Sequence, residues 1–478
     1  MRRLPIFIFL ALLLGMSSYP TLAGAATRSL SLGSSGADVR AVQNALVSRG
    51  YLASKSATGY FGPITSAAVK KFQCATGIIC AGRTYGLVGP ATRAALVGGP
   101  TEPTLEVTGW LPYWRAATST ADILPHLSAF TSVMPFGYIV QNDGSMRDAY
   151  NLGSTTAPAA TLVAAARSAG VKIIPTVMWS NGAAIHAALS DPVARVALED
   201  TIATLVVTGG FDGIDIDFEG KWAETKDSFS SFLEGLRARL GGKLLYCSIE
   251  ARTPLADRYD GTPPADAGIY ANDYVAINQH CDRVQLMTYD QQTIDVNLNR
   301  SAASAPYIPI SDTKWVEKVV TLAAQTIAKD KLEIGIATYG YEWQVTPLSI
   351  SGFRYDMQWA FNPRYATALA TALGLTPSRN GAGEMSMTYI PSAASAAAGG
   401  ASPPEATSGS GLPTATTTYS DGATTPAASP SYNILWWSDA QAIADKIALA
   451  KRLGVRGVAI FKIDGGEDQG LWAALAAK

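Results

Sequence analysis

The sequence is poor in charged residues and in histidine. Only 16% of its 478 residues are charged, against roughly 25% in an average soluble domain, and three are histidine. Lys plus Arg (37) and Asp plus Glu (38) nearly cancel, so we expect no basic face for nucleic acid or for an anionic membrane. Because 48% of the residues are hydrophobic, wholesale disorder is excluded. The composition is that of a soluble globular protein whose partner is neutral or polar.

Several catalytic signatures are also missing. There is no H-E-x-x-H, no G-x-S-x-G and no P-loop lysine motif, and His126, His186 and His280 stand far apart in the sequence. These absences argue against the common metalloprotease, serine-hydrolase and nucleotide sites. The sequence therefore predicts no cofactor and no bound metal.

Cysteine is scarce, with four residues in the chain. Cys74 and Cys80 are close enough in sequence to close a small disulfide loop in an exported protein. Cys247 lies in an apolar, strand-like run, where its default interpretation is core filling. A pairing of Cys247 with Cys281 stays open.

The N-terminus has the pattern of an export signal. Arg2 and Arg3 precede the apolar stretch Leu4–Met16, and Ala23-Gly24-Ala25 supplies small residues for cleavage. The apolar stretch is shorter than the about 20 residues that span a bilayer, and no later segment is long and apolar enough. We therefore expect residues 1–25 to be a signal peptide, with an uncleaved anchor as the alternative. The mature protein is expected to be secreted, cell-wall associated, free of the membrane and monomeric.

Residues 30–97 form a segment with an internal repeat. The run Gly59–Ala68 recurs as Gly86–Ala95, each with Gly-Pro at the start of an apolar-periodic stretch, as at a helix N-terminus. An earlier stretch has apolar residues at helical spacing: Val39, Val42 and Leu46. The segment is predicted to be a small three-helix module, followed by a linker over 98–105.

This module resembles the peptidoglycan-binding domain of bacterial wall enzymes. The resemblance rests on Leu32–Leu46, Gly50-Tyr-Leu52, Gly59–Thr65 and Ala68-Val-x-x-Phe72-Gln73. It implies a role in cell-wall targeting. A spacer or prodomain role is the alternative.

Residues 106–478 alternate short apolar runs with amphipathic stretches. Eight such runs predict repeated βα units that close into a (β/α)8 TIM barrel. The runs are Val107–Tyr113, Phe130–Val140, Val171–Met178, Phe211–Glu219, Lys243–Ile249, Arg283–Tyr289, Leu332–Tyr339 and Val455–Ile463. An open doubly wound sheet is the alternative, but no Gly-rich phosphate fingerprint follows the first run.

The interval between the seventh and eighth runs is too long for a helix and two loops. We expect an insertion over residues 340–433, in which Phe353–Leu375 contributes to a small lobe. Residues 392–431 are dominated by Ala, Ser, Thr, Gly and Pro and are predicted to be a low-complexity loop. A helix is predicted from about Ser438-Asp439 to Leu453, ending at Gly454.

The fourth run carries three acidic residues at alternate positions. Neighbouring side chains of a strand point to opposite faces, so Asp215, Asp217 and Glu219 share one face. The other face, Ile214, Ile216 and Phe218, is apolar and is expected to pack under the outer helices. Crowding and burial should raise the pKa of at least one acid, which a general acid requires. A solvated polar face on an edge strand and an oxygen-ligand metal site are the alternatives.

This run also carries a second family resemblance. Asp212-Gly-Ile-Asp215-Ile-Asp217-Phe-Glu219 resembles the DGxDxDxE signature of family 18 glycoside hydrolases, the chitinase-type barrels. Support comes from Met287-Thr-Tyr289-Asp290 and from Gly109-Trp-Leu-Pro-Tyr113-Trp114. The Tyr339–Trp343 and Trp436–Asp439 stretches resemble the spore-cortex-lytic branch of that family.

The resemblance implies a role for each residue in a retaining, substrate-assisted mechanism. Glu219 is implied as the proton donor that later activates water, and Asp217 as the group that holds the substrate acetamido. Asp215 is implied to exchange a proton with Asp217, and Tyr289 to hydrogen-bond the acetamido oxygen, with Asp290 beside it. The substrate class is implied to be a glycan containing N-acetylglucosamine.

Further residues near strand ends are candidates for substrate binding, since sugar rings stack on aromatic faces. One departure from the family is Phe461, where many members carry Trp. The other candidates are Tyr113, Trp179, Tyr341 and Trp343, with Met287 from the sixth run and Trp110, Trp114 and Tyr339 as weaker ones. Core and rim packing is the alternative for each aromatic.

The sequence therefore predicts a secreted glycosidase that acts on peptidoglycan. Chitin or chito-oligosaccharide is the alternative substrate. A catalytically silent glycan-binding protein is the alternative class, against which the presence of Glu219 argues.

Overall fold

The computed structural model describes residues 29–97, 105–302, 305–348, 352–391, 416–419 and 430–476. The predicted signal peptide and most of the predicted low-complexity loop lie outside the described residues. The chain divides into two compact units, Met1–Pro103 and Thr104–Lys478. Among the described residues, no helix combines the length and the hydropathy needed to cross a membrane.

In the described part of the first unit, residues 29–97, three helices surround one small core. They are α1 (Ala37–Ser48), α2 (Pro63–Ala75) and α3 (Pro90–Val97). Val39, Val42 and Leu46 of α1 are fully buried, as their helical spacing predicts. Pro63 opens α2 at a position where the missing N–H costs nothing.

The sequence repeat has a structural cause in two buried glutamines. Gln43 accepts a hydrogen bond from the Gly59 amide (2.7 Å) and donates to the Thr65 hydroxyl (2.9 Å). One repeat later, Gln73 accepts from the Gly86 amide (2.7 Å) and donates to the Thr92 hydroxyl (2.8 Å). Each glutamine thus joins the turn and the helix start of one copy of the repeat.

A disulfide joins Cys74, near the end of α2, to Cys80. It closes the small loop that the spacing of the two cysteines allows. Such a link supports a module whose core is small.

The second unit is a closed barrel of eight parallel strands, as the sequence predicts. The third barrel strand is divided into two short pieces. The sheet closes into a barrel because its first strand pairs with both the second strand and the last. The barrel strands are β1 (Glu106–Leu111), β2 (Ser132–Val140), β4 (Lys172–Ile173) with β5 (Thr176–Trp179), β6 (Gly213–Phe218), β7 (Leu244–Glu250), β8 (Arg283–Met287), β9 (Leu332–Ala337) and β16 (Gly457–Phe461); β3 (Met146–Asp148) is added antiparallel to β2.

Helices surround the barrel and bury its outer face. Six of the described helices begin at an Asn or Asp whose side chain accepts a hydrogen bond from a backbone amide of the first turn, for example Asp191 at the start of α7. Asp439 and Gly454 bound the helix before the last strand, as predicted. The helices are α4 (Ala116–Ile123), α5 (Ala159–Ala169), α6 (Gly182–Ser190), α7 (Pro192–Thr208), α8 (Lys226–Leu240), α9 (Tyr274–His280), α10 (Val296–Ser301), α11 (Thr313–Ala323), α13 (Ala440–Leu453) and α14 (Gly470–Ala476).

An inserted lobe follows β9. It is an antiparallel sheet with α12 (Pro363–Leu373) and its own apolar core. Its last strand continues to Trp437, four residues past the predicted end of the insertion. The strands are β10 (Gly340–Pro347), β11 (Phe353–Phe361), β12 (Ser378–Arg379), β13 (Met385–Tyr389), β14 (Thr416–Tyr419) and β15 (Tyr432–Trp437).

A second disulfide joins Cys247 on β7 to Cys281, the residue that follows α9. The default interpretation of Cys247 as simple core filling is therefore wrong, although both side chains are buried in the barrel–helix core.

Candidate active site

The acidic row on β6 points into the barrel. Asp215 is fully buried and Asp217 is 3% exposed, while Glu219 follows directly after the strand. The alternate residues Ile214 and Ile216 pack in the core beneath the outer helices. The alternation along the strand therefore places the three acids on the inner face, as the sequence predicts.

Asp215 is the deepest of the three and is held by two hydroxyl groups. Thr176 donates to one carboxylate oxygen and Ser248 to the other, both at 2.9 Å. Burial raises the pKa of Asp215 to about 6, and these hydrogen bonds oppose the rise. Asp215 is enclosed and does not line the cavity described below.

Asp217 and Glu219 carry the stronger perturbation. Burial, the charges of Glu219 and Asp215, and the charge of Glu250 raise the pKa of Asp217 well above its ordinary value. Burial and the charge of Glu250 raise the pKa of Glu219 to about 7, although Lys221 opposes this. A carboxyl group that holds its proton near neutral pH meets the requirement for a general acid.

Tyr289 and Asp290 lie just past the end of β8. The Tyr289 ring is stacked on Phe461, with ring centroids 5.2 Å apart, and burial raises its pKa well above the ordinary value. Asp290 has a left-handed backbone (φ 57°), a conformation that is uncommon for a residue with a side chain. The hydroxyls of Tyr339 and Tyr341 both donate to one of its carboxylate oxygens at 2.7 Å, which opposes the rise in pKa caused by burial.

These side chains meet at a cavity of about 400 Å³ at the C-terminal end of the barrel strands. The inserted lobe contributes one wall through Tyr341, Phe361 and Asn362. The predicted site residues in the lining are Asp217, Glu219, Met287, Tyr289, Asp290, Tyr341 and Phe461, with Trp110, Trp114 and Tyr339 from the weaker candidates. Within the described ranges, no cluster of three or more His, Cys, Asp or Glu side chains is placed to hold a metal ion.

Three aromatic candidates are placed elsewhere. Trp179 packs against Phe218 in the core outside the barrel (ring centroids 5.6 Å apart), because its neighbour Met178 is the inward-facing residue of β5. Trp343 is fully buried in the lobe, where the Tyr355 ring covers it. The structure thus corrects the prediction that these two tryptophans line the site.

The third displaced aromatic is Tyr113. It lies in the turn after β1, edge-on to Trp114 with ring centroids 4.9 Å apart and with the Arg147 guanidinium over its face. Trp114 lines the cavity instead. A turn follows β1, so strand alternation does not decide which of two adjacent aromatics faces inward.

Sequence reasoning missed Glu250, which lines the cavity at the end of β7. Burial alone would raise its pKa, but Lys221 and hydrogen bonds from Asn272 and the Gly220 amide lower it. The signal was present, because Ser248 and Glu250 alternate with the apolar Cys247 and Ile249. Lys462, which forms a buried ion pair with Asp464, also lines the cavity.

Comparison with known proteins gives two matches to family models. Residues 109–466 match the model described as glycosyl hydrolases family 18, and residues 35–96 match the one described as “Putative peptidoglycan binding domain”. A curated relative, “Putative sporulation-specific glycosylase YdhD” of Bacillus subtilis, is 30% identical over 161 residues, which are 33% of this chain and 34% of the relative. The chain spans between about a third and a half of the length of the curated relatives it matches.

Solved structures share the fold. The spore cortex-lytic enzyme SleL of Bacillus cereus matches with a TM-score of 0.56 and 18% identity, over 78% of this chain and 74% of that one. A class V chitinase of Pseudomonas fluorescens matches with a TM-score of 0.58 and 21% identity, over 78% of this chain and 99% of that one. At these identities the likeness concerns the fold alone.

Proposed function

The chain belongs to glycosyl hydrolase family 18, and from this membership we propose that it hydrolyses β-1,4 links next to N-acetylglucosamine in peptidoglycan. The observation that carries the proposal is the row of three carboxyl groups along β6 and directly after its end. Two of them, Asp217 and Glu219, line a cavity wide enough for a sugar unit, and the third supports them from below.

Glu219 is the proton donor. With its pKa raised to about 7, it still holds a proton at neutral pH and passes it to the oxygen of the leaving sugar. Once the glycosidic bond has broken, the Glu219 carboxylate accepts a proton from the water that completes hydrolysis. The configuration at the anomeric carbon is retained, because displacement occurs twice.

The first displacement uses a nucleophile that belongs to the substrate. The acetamido carbonyl oxygen attacks the anomeric carbon while Asp217 holds the acetamido N–H and Tyr289 donates to that oxygen. Asp217 and Asp215 lie on the same face of β6. Because two buried carboxylates side by side are costly to ionise together, the pair shares a proton. This division of roles explains how the site works without a second nucleophilic carboxylate.

The remaining lining fits a sugar ring in both shape and polarity. Phe461 and Trp110 are in edge contact (ring centroids 5.8 Å apart), and Phe461 presents an apolar floor next to Tyr289. Asp290 and Tyr341 add polar groups on the side of the lobe, and Met287 adds an apolar side chain to the lining. Phe461 is smaller than the tryptophan of many family members, so this floor offers less contact area.

Peptidoglycan is the preferred substrate because of the N-terminal module. Residues 35–96 match a peptidoglycan-binding model, and a bound module would hold the barrel at a high local concentration of glycan. With the export signal predicted over 1–25, the enzyme acts outside the cell and in association with the wall.

The test is a Glu219→Gln variant assayed on purified peptidoglycan and on chitin, with products identified by mass spectrometry. We expect the wild-type protein to release peptidoglycan fragments with N-acetylglucosamine at the reducing end, and the variant to be about 10³-fold slower. Glu317→Gln, which removes an exposed carboxylate on α11, is the matched control and should keep full activity. Equal behaviour of wild type and Glu219→Gln on both substrates would refute hydrolysis, and faster release from chitin would reassign the substrate.

A further inference from the structure

The proton donor lies in a short turn that is tied to the strands on both sides of it. Glu219 directly follows β6, and its amide donates to the carbonyl oxygen of Trp179, at the end of β5, at 2.8 Å. The next amide, that of Gly220, donates to a carboxylate oxygen of Glu250, at the end of β7, at 3.1 Å. Gly220 has a left-handed backbone (φ 64°), which glycine adopts without strain. The backbone around the proton donor is therefore held by both neighbouring strands.

Lys221 is the next residue of the same turn. Its side chain is only 1% exposed, and its ammonium group lies 3.7 Å from the second carboxylate oxygen of Glu250. The ammonium also donates to the Phe218 carbonyl oxygen and lies 4.8 Å from the centroid of the Phe229 ring, on α8. Burying a lysine costs free energy unless a negative charge accompanies it, and Glu250 supplies one.

Glu250 is held in turn by the connection between β7 and α9. The Asn272 amide nitrogen donates to one of its carboxylate oxygens at 2.6 Å. The Asn272 backbone carbonyl accepts a hydrogen bond from the Arg252 guanidinium at 2.9 Å. The rings of Tyr270 and Tyr274 lie against that guanidinium, with their centroids 3.4 and 4.2 Å from its central carbon. The Glu250 carboxylate therefore has a fixed position at the end of β7.

The charges of this pair act on Glu219 in opposite directions. Burial has the largest effect on the pKa of Glu219, followed by the charge of Glu250, which raises this pKa, and the charge of Lys221, which lowers it. The charge of Asp290 raises it further, and a hydrogen bond with Asp217 lowers it. The titratable groups that face Glu219 are Asp217 on β6, Glu250 on β7, Tyr289 and Asp290 after β8, and Lys221 in the turn itself.

We propose that Glu250 and Lys221 are positioning residues for the proton donor. Glu250 fixes the turn that carries Glu219 through the Gly220 amide, and the opposite charges of the pair set the pH range in which Glu219 keeps its proton. Neither residue gives or takes a proton in the reaction. The proposal rests on the proposed function, in which Glu219 protonates the leaving sugar.

NMR titration of the full chain tests the charges without turnover. The protein is labelled with ¹³C at the glutamate side-chain carboxyl carbons, and the Glu219 resonance is identified by its absence from Glu219→Gln. Glu250→Gln keeps the shape and an acceptor for the Gly220 amide but removes the negative charge, so the pKa of Glu219 should fall by about one pH unit. Lys221→Met removes the positive charge at similar length, so this pKa should rise by about one pH unit. In the double variant the two changes oppose each other, and the pKa should return close to the wild-type value.

Kinetics on peptidoglycan then test the consequence for catalysis. Because Glu219 must be protonated, the basic limb of the kcat/KM profile should move to lower pH in Glu250→Gln and to higher pH in Lys221→Met, and stay in place in the exposed control Glu317→Gln. Glu250→Ala also removes the acceptor for the Gly220 amide. At its optimum pH it should have a kcat about 10-fold below that of Glu250→Gln, because the proton donor is then less well placed.

The outcomes separate a positioning role from a merely structural one. A pKa of Glu219 that is unchanged in both single variants, or that moves in the same direction in both, overturns the proposal when the variants unfold at the wild-type temperature. Equal kcat values for Glu250→Ala and Glu250→Gln overturn the role of Glu250 in fixing the turn. If Lys221→Met does not fold, the direction of the change in Glu250→Gln decides. Opposite changes in the NMR titration without cleavage of any glycan would refute the proposed function but not the effect of the pair on Glu219.

Discussion

Replacing Glu333 by glutamine should make the barrel more stable, and increasingly so as the pH rises. Glu333 lies on β9 inside the barrel and is fully buried. One carboxylate oxygen accepts hydrogen bonds from Gln285 (3.0 Å) and Thr108 (3.1 Å), and the other has no partner within the described residues. Glutamine has the same shape, keeps an acceptor for those two donors and carries no charge.

The magnitude follows from the pKa of Glu333, which burial raises from 4.5 to about 8. Between these values the unfolded chain has released the proton and the folded protein still holds it, so the folded state binds more protons and stability falls as the pH rises. At 1.36 kcal/mol per pKa unit, the full interval corresponds to about 5 kcal/mol. Between pH 5 and pH 8 alone, the expected loss is about 3–4 kcal/mol.

Urea unfolding followed by tryptophan fluorescence measures this loss. The free energy of unfolding is determined at pH 5 and at pH 8 for wild type and Glu333→Gln, and the difference between the two proteins is compared. Subtraction removes the contributions of Asp215 and Glu219, which titrate in both proteins. The difference should grow by about 3–4 kcal/mol toward pH 8, whereas for the exposed Glu317→Gln it should stay flat. A difference for Glu333→Gln that is the same at both pH values would refute the reasoning.

Three further predictions concern the site, the disulfide and the helical module. Tyr341→Phe removes one of the two phenol donors to Asp290, so the pKa of Asp290 should rise further and the acidic limb of the kcat/KM profile should move up by about one pH unit; an unchanged profile would contradict a role for the ionised carboxylate. Replacing Cys247 and Cys281 together by alanine opens a link between residues 34 apart and should lower the urea-derived free energy of unfolding by about 4 kcal/mol, whereas removing the disulfide of the helical module should leave the barrel transition in place. Gln73→Leu removes the hydrogen bonds that the glutamine makes to the Gly86 amide, the Leu87 carbonyl and the Thr92 hydroxyl, and should destabilise the module by about 3 kcal/mol, seen as faster hydrogen exchange of the second repeat; unaltered exchange would show that the glutamine is dispensable.

Most of the site could be predicted from the alternation of polar and apolar residues along single strands. On β6 the parity of three acids against three apolar residues was enough to place Asp215 and Asp217 on the inner face of the barrel. The same parity on β7 would have placed Glu250 there. These inferences work because a strand has only two faces and one of them must be apolar.

The aromatic residues show where such reasoning ends. Trp179 and Phe218 are neighbours in the parallel register of β5 and β6, so they share the outer face. That register is a long-range pairing that a single strand does not encode. Trp343 follows the same alternation as Tyr341, but the ring of Tyr355, from the next strand of the lobe, covers it.

The helical module shows a different limit. The repeat can be recognised in the sequence, but the side chains that hydrogen-bond to it cannot. Gln43 and Gln73 lie 16 and 13 residues before the glycines whose amides they bind. A buried glutamine has no period of its own, and only the fold brings its amide to the turn. Repetition therefore predicted the turns but not the residues that hold them.

The Cys247–Cys281 disulfide also determines how the barrel would respond to proteolysis. Residues 247–281 form a covalent ring that contains the end of β7, the connection between β7 and α9, and α9 itself. A protease that cuts once within 248–280 opens the ring, but both new ends remain joined to the same molecule. The cleaved protein would then run as two fragments only after reduction.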